Sequence, residues 1–326
     1  MLKNAIPIDL APLDACLSTQ ESCILAVIVG VEGPSYRPVG AMMAIFENGE
    51  STGSLSSGCI EGDIKLHARD CLKSGSATVV RYGRGSPYLD IVLPCGGGLQ
   101  ILLIPNPRQD TIRQILQTVV SDRRSCTLEI QTGSGDMVLS ANANCGLFGS
   151  IFRTMIVPEL RFLVFGKGPE SIVLAALTQS TGFETTLLSP DKATLEAAQE
   201  LSCKTVELTK PEVPNFLGVD TRTAIVLFFH DHDWELPILR DALMTPAFYI
   251  GAQGSQRARD NRLAALGELG VAASNFARLH GPIGLINSAR DPRTLAISVL
   301  GEIISQGNIA QRSVSENLAE AGGVGI

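Results

Sequence analysis

The amino-acid sequence predicts an α/β protein with two domains: an N-terminal α+β domain and a C-terminal Rossmann-like domain with a doubly wound parallel sheet. The length of 326 residues fits about two domains of roughly 150 residues each. After about residue 158, short apolar runs alternate with helical patterns, as they do in a parallel sheet covered by helices. Before that residue, strands and helices follow one another without regular alternation, which indicates an α+β domain.

The first domain is predicted to span residues 1–155. Short β-branched apolar runs predict its strands, and the Asn48–Gly49 pair between two of them is typical of a tight hairpin. Apolar residues at helical spacing predict its helices. The helices are expected at 9–20, 60–72 and 110–120, and the strands at 23–29, 41–46, 77–81, 99–104, 126–131 and 137–139.

The second domain is predicted to span residues 156–312, after a boundary between about 145 and 158 that follows the polar segment 142–146. Its strands are expected at 162–165, 185–188, 224–229 and 248–250, and its helices at 171–179, 192–201, 234–243, 257–269 and 293–305. Residues 313–326 have little to bury and end in glycines and small residues, so the sequence predicts a frayed tail.

Composition excludes several classes of protein. Hydrophobic residues at 45% and charged residues at 18% exclude a disordered chain. The 26 basic and 33 acidic residues give a net charge of -7, opposite in sign to a typical nucleic-acid-binding protein. The apolar run 23–29 is shorter than the roughly 20 residues of a membrane span, and the N-terminus lacks the basic-then-apolar order of a signal peptide. Eight cysteines without regular spacing indicate reduced thiols. We therefore expect a cytoplasmic protein that binds neither membranes nor nucleic acid.

A glycine turn follows the first strand of the second domain. Gly166 and Gly168 would let the backbone turn tightly and approach a phosphate group at the helix start. Ser171 replaces the third glycine of the dinucleotide motif, and Ser189 occupies the place where an acidic residue usually binds ribose. Asp191 comes two residues later, where it can simply begin a helix. Nucleotide or phosphate binding and a Rossmann turn without a ligand both remain open.

Further polar residues follow later strands at their carboxyl ends, where open α/β sheets bind ligands. His230 and His232 alternate with aspartates, a pattern suited to metal ligation or proton transfer, or to a polar loop with Asp233 as the helix cap. A second small-residue turn contains Gly254, Ser255 and Arg257, and it either binds an anion or only closes a turn. His280 begins the loop 281–285, either as a titratable site residue or as part of a connector.

Two cysteines of the first domain have neighbours that suit a functional thiol. Cys59 precedes Glu61 at a predicted helix start, where the helix dipole favours a thiolate. Cys95 precedes Gly96 and Gly97, whose amides can meet an anion. Each thiol either ligates a soft metal, acts as a nucleophile, or is a small buried apolar residue. The last role is expected for the other six cysteines, Cys16, Cys23, Cys71, Cys126, Cys145 and Cys203.

Several separate motifs occur in the order found in one protein family. The segments Gly33–Met42, Gly53–Glu61 and Pro94–Gly97 resemble the first domain of XdhC/CoxI-type proteins, which are accessory factors for molybdenum hydroxylases such as xanthine dehydrogenase. The second half is similar to the Rossmann domain of that family in the segments Val164–Glu170, His230–His232, Tyr249–Ser255 and His280–Leu285. The resemblance covers almost the whole chain.

The resemblance implies an accessory protein that binds the molybdenum cofactor, supports its sulfuration by a cysteine desulfurase and inserts it into the apo form of a xanthine dehydrogenase-type hydroxylase. It implies a carrier or chaperone rather than an enzyme, with a homodimer as one possible assembly. Because dithiolene-bound molybdenum is soft and the pterin carries a phosphate, thiolates and amide-lined turns suit this cofactor. The candidate cofactor-binding residues are Cys59, Glu61, Cys95, Gly96, Gly97, Gly166, Gly168, Ser171, His230, His232, Gly254, Ser255, Arg257 and His280, with Cys59 and Cys95 as the molybdenum ligands.

Two alternatives remain from the residues themselves. An NAD(P)-dependent oxidoreductase would use the turn 166–171, with His230 or His232 as proton donor. A metal-dependent hydrolase would use His230, Asp231, His232 and His280. The chain also departs from the family: many relatives have an acidic residue at the position of Ser189, segment 286–289 has less glycine, and segment 291–294 lacks the usual glutamate. These departures indicate a subgroup with a different client.

Overall fold

The computed structural model describes residues 8–56, 58, 60–83 and 96–321, with side chains as far as residue 308. The chain forms two compact units, Met1–Pro158 with Gln311–Ile326, and Glu159–Ala310. No helix within the described ranges is long and apolar enough to cross a membrane. The predicted α/β class is confirmed by this architecture, whereas the predicted domain boundary after residue 155 stays a prediction.

As far as Pro158, the described part of the first unit has two antiparallel sheets, three α-helices and a π-helical turn at Gln117–Ser121 after the third helix. Its elements are α1 (Ala11–Ser18), β1 (Cys23–Glu32), β2 (Met42–Phe46), β3 (Ser51–Gly53), α2 (Glu61–Ser74), β4 (Thr78–Gly83), β5 (Gly98–Pro105), α3 (Gln109–Leu116), β6 (Cys126–Gln131), β7 (Met137–Ser140), β8 (Gly146–Phe148) and β9 (Ile151–Ile156). The five-stranded sheet has the order β3-β2-β1-β5-β4, and the four-stranded sheet has the order β7-β6-β9-β8.

Both faces of β1 are covered, which explains why this strand is continuously apolar. On one face, Ile24, Ala26 and Ile28 pack with Ile64 and Ala68 of α2. On the other face, alternate residues of β1 pack with α1, α3 and the four-stranded sheet in a second core. Burial on both sides fixes the register, because a shift of one residue would exchange the two faces.

The second unit is a parallel six-stranded sheet with helices between its strands. Its elements are β10 (Arg161–Gly166), α4 (Pro169–Ser180), β11 (Glu184–Ser189), α5 (Lys192–Glu200), β12 (Lys204–Glu207), β13 (Thr223–Phe228), α6 (His232–Met244), β14 (Tyr249–Ala252), α7 (Gln256–Glu268), β15 (Leu279–His280) and α8 (Pro292–Ala321). The strand order is β12-β11-β10-β13-β14-β15. This is the Rossmann order, in which the chain reverses direction across the sheet between the first and fourth strands.

The structure corrects several predicted elements. Strands β8 and β9 were not predicted, and the polar segment 142–145 connects β7 to β8. Strand β12 was not predicted, since its four residues include a lysine and a glutamate. Helix α8 continues as far as Ala321, through residues that include neither glycine nor proline after Ser313, and the frayed tail at 313–326 stays a prediction.

Gly166 is required at the end of β10 for steric reasons. A Cβ atom on Gly166 would lie 2.7 Å from Phe228 Cβ and 2.9 Å from the Phe228 carbonyl oxygen of the neighbouring strand β13. Neither atom can move aside without shifting a strand. The glycine therefore permits the close approach of the two strands at which the sheet reverses order.

Gly166→Ala should lower the free energy of unfolding by about 1–3 kcal/mol, because the added methyl group overpacks the contact with Phe228. Chemical denaturation of both proteins measures this difference. Gly267→Ala is the control, since a Cβ at this α7 position would meet no atom within 4 Å. The control should be neutral or stabilise the protein by up to about 1 kcal/mol through helix propensity. Equal effects of the two substitutions would contradict this interpretation.

Candidate functional site

The first candidate site lies at one end of the five-stranded sheet. Glu32 at the end of β1 pairs with Gly98 at the start of β5, and Gly98 pairs with Gly83 at the end of β4. Gly53 at the end of β3 pairs with Met43 near the start of β2. The loops 33–41 and 54–60, the end of β4 and the start of β5 are therefore all at the same end of this sheet.

The glycines before β5 pack closely against the loop that follows β1. A Cβ atom on Gly97 would lie 2.2 Å from the Pro34 carbonyl oxygen and 2.9 Å from the Glu32 carbonyl oxygen, so only glycine fits there. Gly96 is exposed, has a φ of +69° and would meet no atom within 4 Å if it carried a Cβ. Gly97 therefore fixes the path of the backbone, while no described residue would contact a Cβ atom on Gly96.

The carboxylate of Glu61 organises the loop 54–60. Its Oε1 atom accepts hydrogen bonds from Ser54 Oγ at 2.9 Å, the Leu55 amide at 3.2 Å and the Ser56 amide at 2.8 Å. Its Oε2 atom accepts from Ser56 Oγ at 2.5 Å, the Gly58 amide at 2.9 Å and the Ile60 amide at 3.2 Å. Burial alone would raise the pKa of Glu61, but these hydrogen bonds outweigh it and lower the pKa to about 2. Glu61 is therefore an ionised side chain that holds its own loop.

The start of α2 is also attached to the end of β4. The hydroxyl of the fully buried Tyr82 donates to Asp63 Oδ2 at 2.6 Å, and His67 Nε2 lies 3.3 Å from the same oxygen. Tyr82 pairs with Leu99, the residue after Gly98. The start of α2, which follows Gly58, is therefore held close to the start of β5, which follows Gly96 and Gly97.

Cys59 and Cys95, the predicted thiol ligands, lie outside the described residues. Their described neighbours Gly58 and Gly96 both have a positive φ, and a Cβ on either would meet no atom within 4 Å. The predicted site residues Glu61, Gly96 and Gly97 are at the same end of the sheet as Gly58. The fold thus places the flanks of the two predicted thiols at the same end of one sheet.

The other six cysteines are free thiols. Cys16, Cys23, Cys71 and Cys203 are buried, and Cys126 and Cys145 are half-buried. Burial raises the pKa of Cys126 to about 11, so this thiol stays protonated at neutral pH. Burial of this kind agrees with the structural role predicted for these residues.

In the second unit, the turn after β10 satisfies much of its own polar backbone. The Gly168 amide donates to Thr194 Oγ1 at 3.0 Å, and the Lys167 amide donates to the Phe228 carbonyl at 3.3 Å. Ser171 is fully buried, and its hydroxyl donates to the Gly168 carbonyl at 2.8 Å. Pro169 has no amide hydrogen. The amides at the start of α4 that remain for a ligand are therefore those of Glu170 and Ser171.

Ser189 and Asp191 do not form a ribose-binding pair. Ser189 is fully buried, and its hydroxyl accepts from the Asp191 amide at 3.1 Å. Asp191 caps α5 by accepting from the Thr194 amide at 2.9 Å. Hydrogen bonds from Thr194 lower the pKa of Asp191. The interpretation of Asp191 as a helix-starting residue is confirmed.

The histidines after β13 are exposed on a capped helix start. His230 and His232 are both exposed, and Asp231 rather than Asp233 is the cap of α6, because the helix begins at His232 and Asp231 accepts from the Asp233 amide at 3.0 Å. Lys167 Nζ lies 3.7 Å from Asp231 Oδ2 and 5.8 Å from the centroid of the Trp234 ring. The loops after β10 and β13 therefore contact one another through Lys167.

The turn after β14 lies above a buried charge pair. Gly254 has a φ of +146°, and Ser255 caps α7 by accepting from the Ala258 amide at 3.2 Å. Arg262 of α7 is buried and donates to Glu235 of α6 at 2.6 Å and to the Gln253 carbonyl at 2.9 Å. Gly254, Ser255 and Arg257 are exposed. Backbone amides and one guanidinium group are thus accessible at this turn.

His280 at the end of β15 belongs to a different cluster from the other histidines. Its ring stacks on Tyr249 with a centroid distance of 4.3 Å, and its Nδ1 atom lies 3.4 Å from Glu302 Oε1. Glu302 also accepts a hydrogen bond from the Gly284 amide. Burial raises the pKa of Glu302, but hydrogen bonds from His280 and Gly284 lower it by more. Glu302 therefore holds both His280 and the loop after it.

The metal-ligand set suggested for a hydrolase is not assembled. Across the residues that the structure describes, no three His, Cys, Asp or Glu side chains are close enough together to hold a metal ion. His280 contacts Tyr249 and Glu302, whereas His232 faces Glu235, with 3.9 Å between His232 Nδ1 and Glu235 Oε2.

The fold and these loops define a class of protein: a Rossmann-type unit with accessible turns at the carboxyl edge of its sheet, joined to a unit with glycine loops at one sheet end. Comparison with known families specifies it further. Residues 162–303 match the XdhC Rossmann domain, and residues 16–83 match the XdhC and CoxI family. The chain belongs to the XdhC and CoxI family, which confirms the resemblance predicted from its motifs.

Individual relatives agree with this assignment. The chain is 31% identical to the molybdenum cofactor insertion chaperone PaoD of Escherichia coli over 89% of its own length and 85% of that protein. It is 26% identical to a protein of Bacillus subtilis named as a probable xanthine dehydrogenase subunit, over 90% of this chain and 95% of that protein. A crystal structure described as a xanthine dehydrogenase from Bacillus halodurans covers 92% of this chain and 95% of its own, with a TM-score of 0.71 and 23% identity, and it shows the shared fold.

Sequence reasoning missed several residues that hold the candidate loops. Thr194 holds Gly168, the Glu235–Arg262 pair holds Gln253, and Glu302 holds His280. Glu235 and Arg262 lie within helical patterns that look like ordinary charged helix faces. For Glu235 the sequence offers one signal, which is its position in the first turn of the helix that follows the predicted site loop with His230.

Glu61→Gln should lower the free energy of unfolding by about 1–3 kcal/mol at neutral pH, because the charge that accepts the loop's hydrogen bonds is lost. The folded-state pKa of Glu61 is depressed, so its contribution is complete above its unfolded pKa of roughly 4.3 and is lost as the pH falls towards about 2. Denaturation of both proteins between pH 7 and pH 2.5 should show the stability difference shrinking at low pH.

The matched control is Asp70→Asn on the same helix, whose side chain is 78% exposed beside Lys73. It should change stability by less than about 0.5 kcal/mol. A Glu61→Gln effect as small as the control, or one that grows as the pH falls, would contradict the assigned role of Glu61.

Proposed function

We propose that this chain binds the molybdenum cofactor and delivers it to the apo form of a xanthine dehydrogenase-type molybdenum hydroxylase. The observation that carries the proposal is the similarity, over 89% of the chain, to a relative named as a molybdenum cofactor insertion chaperone. A carrier needs a ligand site but no residues for turnover. We therefore propose a non-catalytic role, with sulfuration supported by a cysteine desulfurase.

The proposed molybdenum ligands are Cys59 and Cys95. Molybdenum held by a dithiolene is soft, and thiolates are its preferred protein ligands. Support comes from the described neighbours: Gly58 and Gly96 are both open to their surroundings, and the hydrogen bonds of Glu61 and the close packing of Gly97 hold the backbone beside them.

Within the second unit, the site proposed for a phosphate group is formed by Gly254, Ser255 and Arg257. In the alternative turn at Gly166, the Gly168 amide already donates a hydrogen bond to Thr194. Glu170 also adds a negative charge to the first turn of α4. The turn after β14 instead has an exposed arginine and no acidic residue in the first turn of α7. Electrostatics favours an anion at the second turn.

An NAD(P)-dependent oxidoreductase is a second candidate because the strand order and the Gly166 turn are those of a dinucleotide-binding sheet. Against this candidate, Ser189 is buried and Asp191 is engaged as a helix cap, so the usual ribose contact is absent at these two positions. A cytoplasmic location and a homodimer remain part of the proposal for the carrier.

Anaerobic titration of the reduced protein with molybdenum cofactor should give about one molybdenum per chain after gel filtration. Cys59→Ala and Cys95→Ala should each weaken uptake at least tenfold, because each removes a soft ligand. Metal analysis and cofactor absorbance measure both quantities. Cys126→Ala is the control, since Cys126 is a half-buried free thiol, and it should leave uptake unchanged.

A parallel titration with NADH tests the second candidate. Trp234 is the only tryptophan of the chain and lies beside Lys167 of the Gly166 turn, so its fluorescence reports ligands bound there. Saturable quenching by NADH without molybdenum uptake would reject the carrier in favour of a dehydrogenase. Uptake that is unchanged in both cysteine variants would remove the thiols from the site.

A further inference from the structure

A buried ion pair lies beneath the carboxyl edge of the parallel sheet. Arg262 of α7 and Glu235 of α6 are each 4% exposed, and Arg262 Nη2 lies 2.6 Å from Glu235 Oε1. Replacing such a pair with apolar residues of similar volume is often neutral or stabilising. Stability alone therefore gives little reason for a buried pair at this position.

The same guanidinium group holds the loops above it. Arg262 Nη2 donates to the carbonyl of Gln253, the residue before Gly254 and Ser255, at 2.9 Å. A Cβ on Gly254 would lie 3.4 Å from Nη2, and a Cβ on Gly281 would lie 3.5 Å from Nη1. The turn after β14 and the loop after β15 thus both pack against the guanidinium group of Arg262.

Glu235 extends this arrangement to the loop after β13. Its Oε2 atom lies 3.9 Å from Nδ1 of His232, while its Oε1 atom accepts from Arg262. The Nε atom of Arg262 and the Oε1 atom of Gln253 are buried and have no hydrogen-bond partner among the described residues, which is rare in proteins. Arg262 therefore bonds Glu235 and the backbone of the 253–255 turn, and these bonds leave its Nε atom unpaired among the described residues.

We propose that Arg262 and Glu235 are positioning residues for the ligand site at this edge. They hold the 253–255 turn in the conformation that presents its amides and Arg257 to a phosphate group. An arginine suits this role because its planar fork can bind a carboxylate and a backbone carbonyl together, whereas lysine presents a single ammonium group. The inference rests on the proposed function only for the identity of the phosphate carrier, the molybdenum cofactor.

The double variant Glu235→Leu with Arg262→Met separates positioning from stability. It removes both charges together, so the melting temperature should stay close to that of the wild type. Its affinity for the molybdenum cofactor should fall at least tenfold, and hydrogen exchange in peptides covering 253–259 should accelerate at least tenfold without ligand. Wild-type exchange in this segment would overturn the inference.

Arg262→Lys and Arg278→Lys form a matched pair that decides the question if the double variant does not fold. Arg278 is half-buried and donates to the carbonyls of Leu243, Thr245 and Ala247, before the start of β14 and away from the 253–255 turn. Arg262→Lys should accelerate exchange at 253–259 and weaken cofactor binding, whereas Arg278→Lys should do neither. Equal exchange in the two variants would overturn the inference. If the wild type fails to bind the cofactor, the proposed function fails, and the exchange results alone decide the role of Arg262.

Discussion

An ionised side chain that leaves water must recover its hydrogen bonds inside the protein, and both candidate sites depend on this requirement. In the first unit, Glu61 recovers them from the amides and hydroxyls of the loop 54–60. In the second unit, Arg262 recovers part of them from Glu235 and the Gln253 carbonyl, while its Nε atom has no partner among the described residues. In each case a loop rich in small and polar residues is fixed by the hydrogen bonds of a charged side chain next to it, and in the first loop Leu55 and Ile60 are also buried in the core.

The parallel sheet determines which loops such a charge can reach. The carboxyl ends of β10, β13, β14 and β15 lie at one edge, and Gly166 allows β10 and β13 to approach closely where the strand order reverses. Side chains then connect neighbouring loops: Lys167 contacts Asp231, and Glu235 contacts Arg262. The carboxyl edge is therefore a connected set of loops rather than independent turns.

The sequence predicts the fold well because the fold depends on local patterns. Most strands and helices follow from apolar runs, and elements are missed where such a run is short, as in β8, or polar, as in β12. The site is predicted less completely. Motifs identify the loops, but Arg262 and Glu235 are 27 residues apart, and no spacing rule connects them. The sequence singles out Glu61 as a site residue, but it does not show the six hydrogen bonds that Glu61 accepts from the described residues of its loop.

The role of Glu61 changes the argument about the neighbouring thiol. A helix start favours a thiolate because its free amides and dipole stabilise negative charge. Here the amides of Gly58 and Ile60, on either side of Cys59 in the sequence, already donate to the Glu61 carboxylate, whose pKa is about 2. The helix start therefore already carries a negative charge at neutral pH, and a second one beside it is disfavoured. The helix-dipole argument for a thiolate next to Gly58 and Ile60 is therefore weaker than the sequence alone suggests, because the charge that a helix start favours is already supplied by Glu61.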